Sequence, residues 1–128
     1  MVRERSRVRI PVLAQKVKMT KKVKLVTFVP ESHADAVRKA LGDTAAGKIG
    51  NYTHCSFSVK GVGRFFSTEG TNPYIGEAGE MSEVTEERVE MVCPREKIKE
   101  AIEAIRKAHP YEEVPIDIHP VLSEEDID

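Results

Sequence analysis

The sequence has no tryptophan, and aromatic residues make up only 5% of it. A core must therefore be built from aliphatic side chains, which 128 residues with a 40% apolar share allow within one domain. Cysteine is scarce too. Cys55 and Cys93 form no CxxC pair and match no zinc-ligand spacing, so they read as buried reduced thiols of a cytoplasmic protein. No apolar run approaches the length of a membrane-spanning helix. The first residues lack the apolar middle and the small-residue cleavage site of a secretory signal. No low-complexity tract or linker divides residues 22–119.

What is present is uneven charge. The net charge is −1, from 20 basic and 21 acidic residues, but residues 1–24 hold nine of the basic residues and one acid, Glu4. The remainder carries a net charge of −9. Residues 1–21 therefore read as a basic, flexible arm, 22–121 as the folded domain and 122–128 as an acidic tail. The arm has no aromatics on which bases could stack, and the acidic body repels phosphate, so nucleic acid is not the expected partner. The arm faintly resembles an organelle transit peptide but is poor in serine. Met19, directly before the first strand, is a candidate start, with residues 1–18 an extension.

Lys22–Val29 is β-branched and apolar and stops at Pro30, which predicts a strand. Ser32 offers an N-cap, Ala34, Val37 and Leu41 recur at helical spacing, and Gly42 offers a C-cap. Tyr52–Lys60 alternates, with Tyr52, His54, Ser56 and Ser58 on one side and Thr53, Cys55, Phe57 and Val59 on the other. Gly61 and Gly63 suggest a tight turn leading to a second strand, Arg64–Thr68. A long loop over Glu69–Glu83 precedes a strand at Glu87–Cys93, and "SEVTEERVE" reads as a solvated strand edge. Pro94 opens a second helix whose buried stripe is Ile98, Ala101, Ile102, Ile105 and Ala108. Tyr111–His119 is the last strand, with Tyr111 and Glu113 on one face and Glu112 on the other. The order β-α-β-β-α-β predicts an α+β, ferredoxin-like two-layer sandwich. Apolar residues on both parities of the first strand suggest that both sheet faces are covered, most economically by self-association.

Three stretches, "AGKIGNYTHCSFSVKGVGRFF", "GTNPYIGEAGEMSEVTEERVEMVCP" and "AHPYEEVPIDIHP", resemble in order the insert domain of the NGG-one-interacting-factor-three family, of the YqfO type. The resemblance covers residues 22–121. It implies a CutA/PII-like fold, whose members are trimers, and a stand-alone version of a domain otherwise set between two halves of a dinuclear-metal protein. The metal ligands of that family lie in the flanking halves, so neither its metal site nor its hydrolase-type activity carries over. What carries over is a ligand or interface role for Gly47, Gly50, Tyr52, Gly76, Gly79, His109, Tyr111, Glu112 and Glu113.

The residues leave several chemistries open. "HPYEE" could place the His109 nitrogen and the Glu113 carboxylate on a divalent metal, but that is two ligands where a closed site needs four. Alternatively His109 caps the helix end and stabilises its negative pole, or the stretch is a subunit or ligand contact. His54 shares a strand face with Tyr52 and could meet His119 if their strands adjoin. Cys55 points away from His54, which argues against a nucleophilic pair. Gly47, Lys48 and Gly50 allow close backbone approach without the spacing of a phosphate loop, and turn geometry explains them equally well. The acids Glu69, Glu77, Glu80 and Glu83 suit a cation or a neutral ligand better than a phosphate. The expected function is a non-enzymatic, cytoplasmic module that binds a small molecule or divalent cation as a homo-oligomer, most simply a trimer, with no resident cofactor. The alternative is an interaction domain for a separately encoded metal-dependent enzyme.

Overall fold

The computed structural model of the chain describes residues 20–128. The expectations for the arm fall, up to residue 19, outside the described residues. Strand β1 (Lys22–Pro30) leads into helix α1 (Glu31–Gly42), strands β2 (Phe57–Phe66) and β3 (Met81–Pro94), helix α2 (Ile98–Ala108) and strand β4 (Ile116–Val121). Short 3-10 turns occupy Arg95–Lys97 and Glu124–Asp126. The sheet is antiparallel in the order β2-β3-β1-β4, with the helices on one face. This is the predicted α+β, ferredoxin-like βαββαβ arrangement.

The aliphatic core follows from side-chain alternation. Val23 and Leu25 of β1, Met91 and Cys93 of β3, Leu41 of α1, and Ala101 and Ile105 of α2 form one buried cluster. Val29, Ala34, Val37 and Val89 form a second. The expected stripe on α2 holds: Ala101 and Ile105 are buried, Ile98 and Ile102 pack against the first cluster, and Ala108 packs against the second. Arg38 clips α1 to the sheet by donating to Glu87 of β3 and Ser58 of β2. On the face without helices, Val26 of the central strand is nonetheless fully buried. The ion pairs Lys24–Glu90 and Arg88–Glu90 lie on that same parity of β1 and β3.

Several local expectations are corrected. Pro30, not Ser32, is the N-cap of α1, and Ser32 bonds its neighbour His33 instead. Gly42 ends α1 as a helical residue, with Asp43 as the C-cap. The strand expected from Tyr52 begins only at Phe57, because His54 takes a left-handed φ of 58° and interrupts the alternation. β2 runs straight through Gly61 and Gly63; the hairpin partner of the whole strand is β3, with Phe66 opposite Met81. β3 starts before Glu87, so "SEVTEERVE" is paired with β2 throughout and with β1 from Glu86 onward, and only Ser82–Thr85 lack a second neighbour. Pro94 closes β3, and the Arg95–Lys97 turn separates it from α2. Tyr111–Pro115 is a loop, not the start of β4.

The register leaves one end of the β2–β3 hairpin without further neighbours in the sheet. β1 pairs with β3 only as far as Glu86, so Val62–Phe66 and Met81–Thr85 pair with each other alone. This end of the hairpin projects past the sheet as a two-stranded ribbon. The loop 67–80, the start of α1 and the segment 109–115 lie at the same end.

Candidate functional site

The predicted site residues separate into two groups at opposite ends of the sheet. At the end where α1 stops, Gly47 has φ 75°, donates its N–H to Val92 O and accepts from Cys55 N–H. A Cβ there would lie 3.0 Å from the Cys55 backbone and from Met91 Sδ. The role of Gly47 is thus to let this loop close on β3, and its N–H is not free for a phosphate. Gly50 (φ 57°) turns a small loop joined by the Ile49–Tyr52 bridge, and Tyr52 is exposed. His54 packs its ring on Gly42 and bonds Asp43 Oδ1 at 2.9 Å and Thr53 Oγ1 at 3.0 Å. The Lys39 hydrogen bond, and then that of His54, hold the Asp43 carboxyl below its ordinary range. His119 stands on β4, at the opposite sheet edge from β2, so it does not join His54. Cys55 Sγ turns to Thr53 O, not to His54.

The other end carries the cleft. His109 is buried, and its Nε2–H donates to Phe28 O at 2.7 Å. Its Nδ1 accepts the Tyr111 N–H at 3.2 Å. Burial pushes its pKa below the ordinary 6.5, outweighing the opposing pull of the Phe28 carbonyl. The ring is therefore neutral, with both nitrogens engaged. In this arrangement Nε2 is taken by Phe28 O and Nδ1 by the Tyr111 N–H, and Glu113 is not among its partners. His109 instead ties the chain after α2 to the end of β1 and sets the direction of the next residues.

Tyr111 lies beside it, ring centroids 4.8 Å apart, and donates its hydroxyl to Glu86 Oε2 at 2.6 Å. Burial, then the Glu86 hydrogen bond, raises the Tyr111 pKa well above 10, so its proton is firmly held. Phe65 of the ribbon meets Tyr111 edge-on at 6.1 Å, and Tyr74 of the loop approaches it at 6.4 Å. Tyr74 in turn rests against His33 of α1. Glu112 accepts the Asn72 N–H at 3.1 Å, which fastens the loop to this wall. Between these elements is a cleft of about 520 Å³, within the size range of small-ligand sites. Glu112 and Glu113 both line it, because the segment is a loop and the alternation expected to part them does not apply. Gly76 (φ 83°) and Gly79 (φ 85°) shape the loop rather than the cleft. A Cβ on Gly76 would fall 2.1 Å from Ser82 Oγ, and Gly79 N–H donates to Ser67 O. Phe28, Phe65, Tyr74 and Glu86 are site residues that the sequence pattern alone did not mark. Glu86 is hidden when β3 is taken to start at Glu87, whereas Tyr74 stands in "NPYIG", where an aromatic beside proline and glycine is the available signal.

No family model matches the sequence. Over 98 residues, 77% of this chain, it is 49% identical to the GTP cyclohydrolase 1 type 2 homolog of Bacillus subtilis strain 168, of which it covers 26%. A solved Bacillus cereus protein related to NIF3 superposes with a TM-score of 0.70 at 45% identity, over 80% of this chain and 26% of that one. The chain matches the insert domain of the NGG-one-interacting-factor-three family. It spans about a quarter of the length of the curated relatives it matches. CutA1 of Shewanella sp. SIB1 superposes with a TM-score of 0.61 at 13% identity, over 81% of this chain and 84% of that one, a likeness of fold. The chain thus has the CutA-like architecture that its sequence suggested. No helix among its described residues is long and apolar enough to cross a membrane.

Proposed function

We propose that this domain is a non-enzymatic, cytoplasmic binding module that works as a homo-oligomer, most simply a trimer, and takes a small molecule or a cation in the cleft beside Tyr111. The observation that carries this reading is the cleft itself: a concave, aromatic-walled space with a few fixed polar groups, assembled from five separate elements, β1, β2, the loop after it, β3 and the segment after α2. Self-association is supported by the projecting ribbon, because an isolated two-stranded ribbon is marginal in water. Val62, Phe66 and Met81 on it are 68%, 54% and 57% exposed. Phe57 and Val59 are exposed on the opposite face of β2. A neighbouring copy would cover them.

Binding is preferred to catalysis for physical reasons. His109 has both nitrogens engaged, the Tyr111 proton is held, and Cys55 has no base beside it. The name of the relatives refers to proteins about four times as long as the matched segment. A second reading is an interaction domain that docks to a separately encoded enzyme, supported by the exposed apolar side chains of β2 and the start of β3. Gentle purification of the untagged chain, followed by denaturation and mass spectrometry of what is released, separates the two. A small molecule lost in a Tyr111→Phe, Tyr74→Ala variant supports the ligand module. A stoichiometric larger protein and no small molecule would replace it with the docking domain.

A further inference from the structure

Glu86 of β3 lies opposite Gly61 of β2 and Pro30 of β1. Its carboxylate extends over Gly63, where an added Cβ would stand 2.0 Å from Oε1. The missing side chain at residue 63 is what gives the carboxylate room to lie along the ribbon at the cleft. One oxygen accepts the Tyr111 hydroxyl, and among the described residues no basic side chain pairs with either oxygen. The neighbouring cations are committed elsewhere: Arg64 to Glu83 at 3.3 Å and Arg88 to Glu90 at 3.0 Å. Glu86 is half-buried, so a carboxylate is held at an aromatic wall without a counter-charge. Glu112 and Glu113 add two more negative charges to the lining.

This chemistry discriminates among ligands. An anion would meet three carboxylates against one lining cation, Arg64, which is already paired with Glu83. A bare divalent metal needs several converging oxygens or nitrogens, and among the described residues no three His, Cys, Asp or Glu side chains are grouped to supply them. A neutral apolar ligand would strip water from Glu86 and give nothing back. A cation with an apolar body satisfies both the carboxylate and the ring faces, which attract positive charge through their quadrupoles. The fold already uses that attraction where the Arg88 guanidinium sits 5.8 Å from the Phe28 ring. We infer that the cleft binds a small organic cation, an alkylammonium or guanidinium compound, with its charged head on Glu86 and its body against Phe65, Tyr74 and Tyr111. This rests on the reading of the cleft as a ligand site and names the class of ligand.

The test is calorimetric titration of the full chain with phenethylguanidinium, its neutral isostere phenethylurea, the carboxylate phenylpropionate and manganese chloride. The guanidinium should bind at least about tenfold more tightly than the urea. Glu86→Gln should bring the two to parity. Gly63→Ala should do the same by displacing the carboxylate, which guards against a folding effect of the first variant. Tyr74→Ala should weaken the guanidinium several-fold. Urea or carboxylate binding as well as the guanidinium, and still sensitive to Tyr74→Ala, would overturn the cation assignment and leave the ligand site standing. Manganese binding more tightly than the guanidinium would overturn the assignment in favour of a metal. Binding by none of the four would overturn both readings.

Discussion

At the scale of single residues, the protein uses its functional-looking side chains mostly to build shape. A buried neutral histidine with both nitrogens engaged makes stability depend on pH. The folded-state pKa of His109 is lowered, so between that value and 6.5 the unfolded chain binds the proton that the folded chain refuses. The contribution of His109 is therefore complete above about pH 6.5 and falls as pH drops through 6.5 toward the folded-state value. Urea midpoints measured between pH 7.5 and 5 should show this loss, and His109→Gln should remove that component of it. An equal slope in the variant would show that the ring titrates normally. His109→Ala at pH 7.5 should cost about 2–3 kcal/mol in the same assay, because the Phe28 carbonyl is left buried without a donor. Gly47→Ala should cost about 2 kcal/mol or more, since a left-handed residue would gain a Cβ against the Cys55 backbone. A loss under about 0.5 kcal/mol would mean that the loop opens freely.

At the scale of elements, the projecting end of the β2–β3 hairpin is the part that the subunit alone does not explain. Met81→Lys together with Val62→Lys places charge on exposed positions of a paired ribbon, so the isolated fold should keep its circular dichroism spectrum and lose less than about 1 kcal/mol. Sedimentation should instead show weaker association. Association unchanged by the pair would move the interface off the ribbon. This element also marks the limit of what the sequence made legible. The helices and central strands were readable because a helix with one buried face shows a 3.6-residue apolar period and a strand buried on both faces shows a continuous apolar run. The edges were not. Gly61 and Gly63 look like a turn, yet they sit in mid-strand; at residue 63 the glycine makes room for the Glu86 carboxylate across the ladder. Tyr111–Pro115 alternates like a strand, yet the His109 anchor and Pro110 hold it as a loop, and the Thr27 hydroxyl caps it by donating to Pro115 O at 2.8 Å. Long-range hydrogen bonds of this kind leave no trace in local pattern. For the same reason Tyr111, Glu112 and Glu113 stood out in the sequence as candidates for the cleft while their partners Phe28, Asn72 and Glu86 did not.

At the scale of the whole molecule, the proposed reading of an acidic domain with a projecting ribbon and exposed apolar side chains along β2 is that a second copy covers them. Its basic arm is expected to be separable. Removing residues 1–18 should shift the melting temperature by no more than a few degrees, since their charge pattern has no apolar period to join the core. A collapse in melting temperature or solubility would show that the arm packs on the body or on a neighbour. The central claim, a binding module working as an oligomer, is tested most directly by native mass spectrometry of the untagged full chain at micromolar concentration. The expected result is a multiple of the subunit mass, three subunits in its simplest form, carrying a small added mass per subunit that Glu86→Gln loses. A bare monomer would contradict it.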